Sequence, residues 1–334
     1  MTRQLMTRRH WLRSAGAASI TAVGARAGLT PARATKRAHH QSSPIFDAHI
    51  HVWSDDTDRF PLAPGFIKED LWAPSYSIEE YWQECYSAGV THVNLIQMTW
   101  YGLDHSYIID IIRNDPKHFV GTGVIPAISD VSLASPDSAM VALAKQGILA
   151  FRVRTKNTRG AIRESRRWLD FPGYEKMFKT AAKHRLALSF LMSADDLPEI
   201  GRMCARFPES PVILDHTAGI SRKPVRQEAV QAFCAMAKHK NVMVKIGAFY
   251  AFGDRTPPYT AQLPVIHQVI DAFGPERCMW ETDSPLRRPG ASLPDPPHSC
   301  QAAADLIRDH ADFLSASDKQ QILFKTAYNF FFNR

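Results

Sequence analysis

Pro44-Ile45-Phe46-Asp47-Ala48-His49-Ile50-His51-Val52-Trp53 is a short apolar run that breaks at Trp53 into an acidic, polar loop. Side chains alternate faces along a β-strand, so His49 and His51 are predicted to share one face, with Asp47 two residues deeper on it. Two imidazoles side by side at a strand end can grip a divalent ion. Imidazole nitrogen suits zinc, and a catalytic zinc takes about three protein ligands and keeps a position open for water or substrate. A chain with 14 histidines also produces such a pair by chance, and the context of the strand decides between the two.

Apolar, β-branched runs of strand length recur between amphipathic, helix-like segments through the rest of the chain, at 45–51, 92–98, 119–125, 148–154, 186–191, 212–216, 242–247 and 278–283. Each is followed by a polar or Gly/Pro-rich loop and a helical pattern, the order expected of an α/β chain with a parallel sheet and crossover helices. Eight repeats over about 290 residues predict a closed (β/α)8 TIM barrel spanning 44–334. The alternative, an open doubly wound sheet, lacks a Gly-rich dinucleotide fingerprint after its first strand. Ser77-Ile78-Glu79-Glu80 is a capping-box pattern opening a helix that Gly89 can close. Ser317-Asp318-Lys319-Gln320 is predicted to open the last helix in the same way, with Ile322, Leu323, Tyr328 and Phe331 packing the chain end onto the barrel.

In such barrels the working face lies at the carboxyl ends of the strands. Strand one ends in His49 and His51, strand four in Arg152 and Arg154, strand six in Asp215-His216, and strand eight in Glu281-Thr282-Asp283. Burying that much polarity without a use is costly. These residues resemble the amidohydrolase superfamily, in particular its amidohydrolase-related branch of sugar lactonases and 2-pyrone-4,6-dicarboxylate lactonase. The resemblance covers about residues 45–334. It rests on Phe46-Asp47-Ala48-His49-Ile50-His51-Val52-Trp53, Tyr101-Gly102-Leu103-Asp104-His105-Ser106, Phe151-Arg152-Val153, Ile213-Leu214-Asp215-His216 and Thr282-Asp283-Ser284-Pro285, in that order. It implies a distorted barrel with the paired histidines and the last-strand aspartate at the reaction centre.

The chemistry this requires follows from the side chains. A divalent ion, zinc or manganese, on His49, His51 and Asp283 lowers the pKa of a water to around 7, and Asp283 as general base takes its proton. His216 is expected to contact substrate or water in preference to ligating the ion. The chain departs from the metal-dependent pattern of the resemblance at two places. Its fifth strand, Leu186-Ala187-Leu188-Ser189-Phe190-Leu191, carries no histidine, and its fourth offers Arg152 and Arg154 where two-metal members have a lysine. Two readings therefore stand: a one-metal site, or a metal-free site in which the same histidines polarise the substrate directly.

Guanidinium groups match carboxylates bidentately and stay charged, so Arg152 and Arg154 point to a substrate bearing carboxylate or several hydroxyls. Lys245 is a further candidate, Arg287-Arg288 lie just beyond Asp283, and Tyr101 and His105 are expected to join the pocket from the second loop. Long loops at 54–76, 249–262 and 284–299 supply Phe60, Phe66, Trp72, Tyr250, Phe252 and Tyr259 as wall candidates. The leading functional expectation is an exported hydrolase that opens a lactone or similar cyclic ester. A metal-dependent decarboxylase and a non-catalytic sugar-acid binding protein are the alternatives.

The amino terminus reads separately. Thr7-Arg8-Arg9-His10-Trp11-Leu12-Arg13 matches a twin-arginine export signal, followed by a weakly apolar stretch to Leu29 and the small-x-small cleavage pattern Ala32-Arg33-Ala34. Residues 1–34 are thus expected to be a signal peptide read by the twin-arginine machinery, 35–43 a linker, and the destination the periplasm. The apolar stretch is too interrupted for a membrane anchor. Six arginines and no acids leave with the signal, so the formal charge of +7 falls to +1. That removes the electrostatic drive toward nucleic acid, and the expected partner is a small-molecule lactone. The five cysteines, Cys85, Cys204, Cys234, Cys278 and Cys300, are expected to be buried thiols.

Overall fold

The computed structural model describes residues 43–125, 135–154, 167–286 and 297–333; the leader, the linker up to residue 42 and Arg287-Arg288 lie outside these. Eight strands stand among the described residues: β1 (Ile45–Ile50), β2 (Val90–Ile96), β3 (Phe119–Gly123), β4 (Ile148–Arg154), β5 (Ala187–Leu191), β6 (Val212–Leu214), β7 (Val242–Ile246) and β8 (Cys278–Trp280). They pair in parallel in sequential order. The ring closes between β1 and the residues after β8. His51 N donates to Ser284 O at 2.8 Å and Asp283 N to His49 O at 2.9 Å. Each predicted run overlaps one of these strands, so the barrel expectation holds and the open sheet is excluded. Several runs extend past their strands: β2 stops at Ile96, β3 at Gly123, β6 before Asp215 and β8 before Glu281, so the polar residues at the ends of the last two stand just beyond the strands.

The helices are α1 (Ile78–Cys85), α2 (Ser106–Asn114), α3 (Pro136–Ala144), α4 (Pro172–His184), α5 (Leu197–Arg206), α6 (Gln227–Cys234), α7 (Leu263–Phe273), α8 (Cys300–Arg308), α9 (Ala316–Gln320) and α10 (Thr326–Phe331). Ser77 and Glu80 cap α1 reciprocally, and Gly89, at φ 101°, takes the left-handed turn into β2. At the chain end the cap falls two residues earlier than expected. Ser315 pairs with Asp318, so Ser317-Asp318-Lys319-Gln320 lies inside α9. Among the described residues no helix is long and apolar enough to cross a membrane.

Strand alternation sorts the core into two shells. Phe46, Ala48, Val120, Ala150, Ala187, Ile213 and Met279 form an inner cluster, closed below by Ala327 and Phe331 of α10. Their neighbours Ile45, Val93, Leu188, Val212, Val244 and Trp280 belong to a larger cluster with the helices. The pairing of β1 with β2 is irregular between Asp47 and Ile50. That irregularity changes the phase of β1 and corrects one expectation: Asp47 does not share the histidine face. It turns toward the helices, where its carboxylate accepts from Tyr81 of α1 at 2.8 Å and from Thr282 N at 2.9 Å, while His49 comes inward.

The cysteine expectation is also corrected. Cys85, last in α1, and Cys300, first in α8, form a disulfide with Cα atoms 5.2 Å apart. Their separation of 215 residues hides the pairing from any local spacing pattern. Cys204, Cys234 and Cys278 are thiols.

Candidate active site

Two residues above the apolar floor of the barrel, the inner side chains become polar: Thr122 above Val120, Arg152 above Ala150, Ser189 above Ala187, Asp215 above Ile213, Lys245 above Met243 and Glu281 above Met279. All six are buried. Asp215 accepts from Ser189 Oγ at 2.8 Å and pairs with Lys245 Nζ at 3.0 Å. Burial works to raise its pKa, but the ammonium of Lys245, His49 and Arg152 hold the carboxyl well below the usual carboxylate range. Lys245 therefore does not face a substrate as expected; it is consumed inside this layer, 3.1 Å from His49 Nδ1.

The upper layer is made where the strands give way to turns. After β6 the chain turns through Asp215–Gly219, with His216, Thr217 and Ala218 all at φ between 47° and 54°. Non-glycine residues held there cost roughly 1–3 kcal/mol each, a price borne where the surroundings over-determine them. The turn brings the His216 ring to 4.5 Å from that of His49. Asp283, itself at φ 60°, completes the set. Its Oδ1 lies 3.6 Å from His49 Nε2, 3.5 Å from His51 Nε2 and 3.9 Å from His216 Nε2. Its Oδ2 accepts from Tyr250 OH at 2.9 Å. His51 Nδ1 is 3.2 Å from the Ile96 carbonyl, an acceptor only, which leaves Nε2 as the lone-pair nitrogen. His216 Nδ1 is 2.6 Å from Glu281 Oε1.

Charge in this layer follows from burial and neighbours. Burial pushes His49 far down, helped by Lys245 and His216, and pushes His51 down against the pull of Asp283. Burial also works against a charge on His216, but Glu281 and Asp283 raise it to about 9. Asp283 is ionised: burial acts to raise its pKa, and the neighbouring His216 charge outweighs it and holds the carboxyl well below the usual carboxylate range.

His49, His216 and Asp283 present ligand atoms within 4.8 Å of one another, with His51 Nε2 facing the same oxygen. Ligand atoms of a tetrahedral zinc stand about 3.3 Å apart, from bonds of about 2.0–2.1 Å. The distances from Asp283 Oδ1 are a few tenths of an ångström wider, the set as a whole spreads over up to 4.8 Å, and His49 Nε2 is buried without a hydrogen-bond partner. The residues fit a divalent ion. His216 joins the donor set, where the sequence suggested substrate or water contact.

Above this centre opens a cleft of about 740 Å³, lined by His51, His216 and Asp283, by Arg152 and Arg154 of β4, by Arg222, Lys223 and Arg226 after β6, and by Trp72 and Phe252 from the long loops. Arg154 Nη1 donates to Thr99 Oγ1 at 2.5 Å. Tyr101 and His105 are not brought into the cleft. Tyr101 OH accepts from Ser54 N at 3.0 Å and His105 Nε2 from Val124 N at 2.9 Å, so both are spent on holding loops. Phe60 and Tyr259 pack into the core, and Tyr250 contacts Asp283. The sequence places Asp215 and Glu281 at polar strand ends and Tyr250 among the wall candidates, but assigns none of the three a role in the site. The signal for the first two was present, because each stands two residues beyond an inward apolar residue of its strand.

Residues 46–332 match the model of the amidohydrolase family. An L-fucono-1,5-lactonase of Burkholderia ambifaria is 29% identical over 122 residues, which are 36% of this chain and 42% of the relative, so the chain spans about two fifths of the length of the curated relative it matches. Among solved structures, a probable 2-pyrone-4,6-dicarboxylic acid hydrolase of Acinetobacter baumannii with citric acid bound superposes with a TM-score of 0.66 at 17% identity, over 86% of this chain and 98% of that one. An amidohydrolase of Burkholderia multivorans with bound zinc gives 0.66 at 16% identity, again over 86% and 98%. At such identities the likeness is one of fold. The family match runs the length of the barrel and takes in β1, the β6 turn and the residues after β8 on which the histidines and Asp283 stand: this chain belongs to the amidohydrolase family.

Proposed function

We propose that this protein is a hydrolase that opens a carboxylated or hydroxylated lactone, acting in the periplasm after twin-arginine export. The observation that carries the reading is the convergence of three imidazole Nε2 atoms on one oxygen of an ionised aspartate beneath a cation-lined cleft. His49, His51, His216 and Asp283 would hold one divalent ion, zinc or manganese. When bound, such an ion supplies Lewis-acid polarisation of a carbonyl and eases the ionisation of a water. Arg152 and Arg154 anchor the carboxylate or hydroxyls of the ring and set its acyl carbon over the centre. As water adds to that carbon, Asp283 takes its proton. When the acyl carbon–ring oxygen bond breaks, the same proton passes to the departing oxygen, and lactone plus water becomes a hydroxy acid. Tyr250, bonded to Oδ2, keeps Oδ1 aimed at the reacting water.

Among the described residues, five cations line the cleft against the acids Asp215 and Asp283, which favours an anionic ligand. The 29% identity to an L-fucono-1,5-lactonase supports a sugar-type lactone, and the fold of a dicarboxylic acid hydrolase supports an acidic one. The export half of the reading is supported by the disulfide, because structural disulfides persist in oxidising compartments. The test is a panel of aldono- and carboxy-lactones followed by acid release, with carbon dioxide monitored in parallel. Acid release lost in Asp283→Asn supports the proposal. Carbon dioxide release would assign a decarboxylase, and tight binding without turnover, unaffected by Asp283→Asn, a binding protein.

A further inference from the structure

Glu281 stands at the centre of the buried layer with no direct part in the chemistry proposed above. Its Oε1 is 2.6 Å from His216 Nδ1. Its Oε2 is buried without a hydrogen-bond partner, yet lies 3.3 Å from His49 Nδ1. One carboxylate thus faces the inner nitrogens of two imidazoles whose outer nitrogens face Asp283. An unpartnered buried carboxylate oxygen is costly, and it calls for a donor. In the arrangement at hand His49 Nδ1 is instead occupied by Lys245 Nζ at 3.1 Å. An ammonium only donates, so Nδ1 accepts and the ring proton of His49 sits on Nε2.

An ion at His49 Nε2 needs the lone pair there, which moves the ring proton to Nδ1. Lys245 can then no longer donate to Nδ1, but it retains Asp215 at 3.0 Å, and the nearest acceptor for the new N–H is Glu281 Oε2. We infer that Glu281 is a positioning residue for the ion site: its two oxygens accept one N–H each from His49 and His216, fixing both rings with Nε2 toward Asp283, and its orphaned oxygen is the acceptor reserved for the loaded state. Carboxylates that hold ligating imidazoles by their far nitrogen orient the ring and raise its basicity, and their loss weakens metal binding about 10–100-fold. The fold makes room for the group at one place: a Cβ on Gly247, just after β7, would stand 2.1 Å from the Glu281 carbonyl oxygen and 2.2 Å from its Cγ.

This inference rests on the reading that a divalent ion occupies the three Nε2 atoms. Its test uses zinc on the whole mature chain: affinity by competition with a chromophoric chelator for the parent and Glu281→Gln, with circular dichroism as the fold control. The ring ¹⁵N shifts of the zinc-loaded parent are recorded alongside. Expected are about 10–100-fold weaker zinc binding in Glu281→Gln, an unchanged spectrum, and both His49 and His216 protonated at Nδ1 in the loaded parent. Zinc affinity of Glu281→Gln within twofold of the parent overturns the inference, as does a His49 in the loaded parent protonated at Nε2. The second measurement needs no variant and decides the matter if Glu281→Gln does not fold. A parent that binds no zinc overturns it too, and lactone opening by that metal-free parent would leave the proposed activity standing.

Discussion

Asp283 uses its two oxygens for different tasks, one tied to Tyr250 and the other turned to three imidazoles. Asparagine has the same shape but cannot take a proton, so Asp283→Asn is expected to lower lactone turnover by about 10²–10⁴-fold, with an unchanged far-ultraviolet spectrum; turnover within tenfold of the parent would remove Asp283 from the proton transfer. Gly247→Ala tests the close approach below it. The added methyl meets backbone at 2.1 Å, which cannot swing aside, so the variant should lose at least about 1–3 kcal/mol in urea unfolding. A stability equal to the parent's would mean that the strand relaxes freely there. At this scale the sequence was legible where two histidines share an alternation and where an arginine ends a strand. It was illegible where a side chain is consumed by another: nothing in Val244-Lys245-Ile246 says that the lysine meets Asp215 before any substrate does, and nothing near Tyr250 says that its hydroxyl reaches Asp283.

The strands were readable because each inner and outer face is apolar with period two, and their lengths were misjudged where polar residues continue the pattern onto a turn. The seam between β1 and the end of β8 shows why a local pattern misplaced Asp47. At that seam the Asp47 carboxylate adds to the backbone ladder, accepting from Thr282 N at 2.9 Å and from Thr282 Oγ1 at 2.5 Å. Thr282→Val keeps the shape and removes the hydroxyl donor. It is expected to cost about 1–3 kcal/mol in urea unfolding, and a loss below about 0.5 kcal/mol would show that the seam does not depend on that bond. At the opposite end of the barrel His92 of β2 packs among Phe46, Phe324, Tyr328 and Phe332. Burial, with the neighbouring His118 charge, lowers its pKa to about 4 from an ordinary 6.5. The unfolded chain therefore holds more protons between those values, and stability should fall as pH drops from about 6.5 to 4. His92→Phe should flatten the urea midpoint over that window; an equal slope in parent and variant would place the dependence elsewhere.

For the whole molecule, the barrel carries its own closure at the amino-terminal face in α10, while α1 and α8, far apart in sequence, are stapled by Cys85–Cys300. The staple closes a loop over most of the barrel, a class of crosslink that stabilises by about 2–5 kcal/mol. It is the one element of the design that depends on where the protein resides. On the proposed twin-arginine route, which moves folded chains, the barrel would form with reduced thiols and acquire its bond on arrival. Two measurements separate the consequences. Arg8→Lys with Arg9→Lys should leave the protein in the cytoplasm with both thiols reactive toward an alkylating reagent, whereas the parent should be found in the periplasm, shortened at the amino terminus and with Cys85 and Cys300 blocked. Cys85→Ser with Cys300→Ser should still be exported and fold, with a urea midpoint lowered in proportion to about 2–5 kcal/mol and matched by the parent under reducing conditions. A parent whose Cys85 and Cys300 alkylate after export would contradict the bond. A paired substitution of the two arginines that still reached the periplasm would contradict the route, and the two failures are independent because one concerns α1 against α8 and the other the first 34 residues.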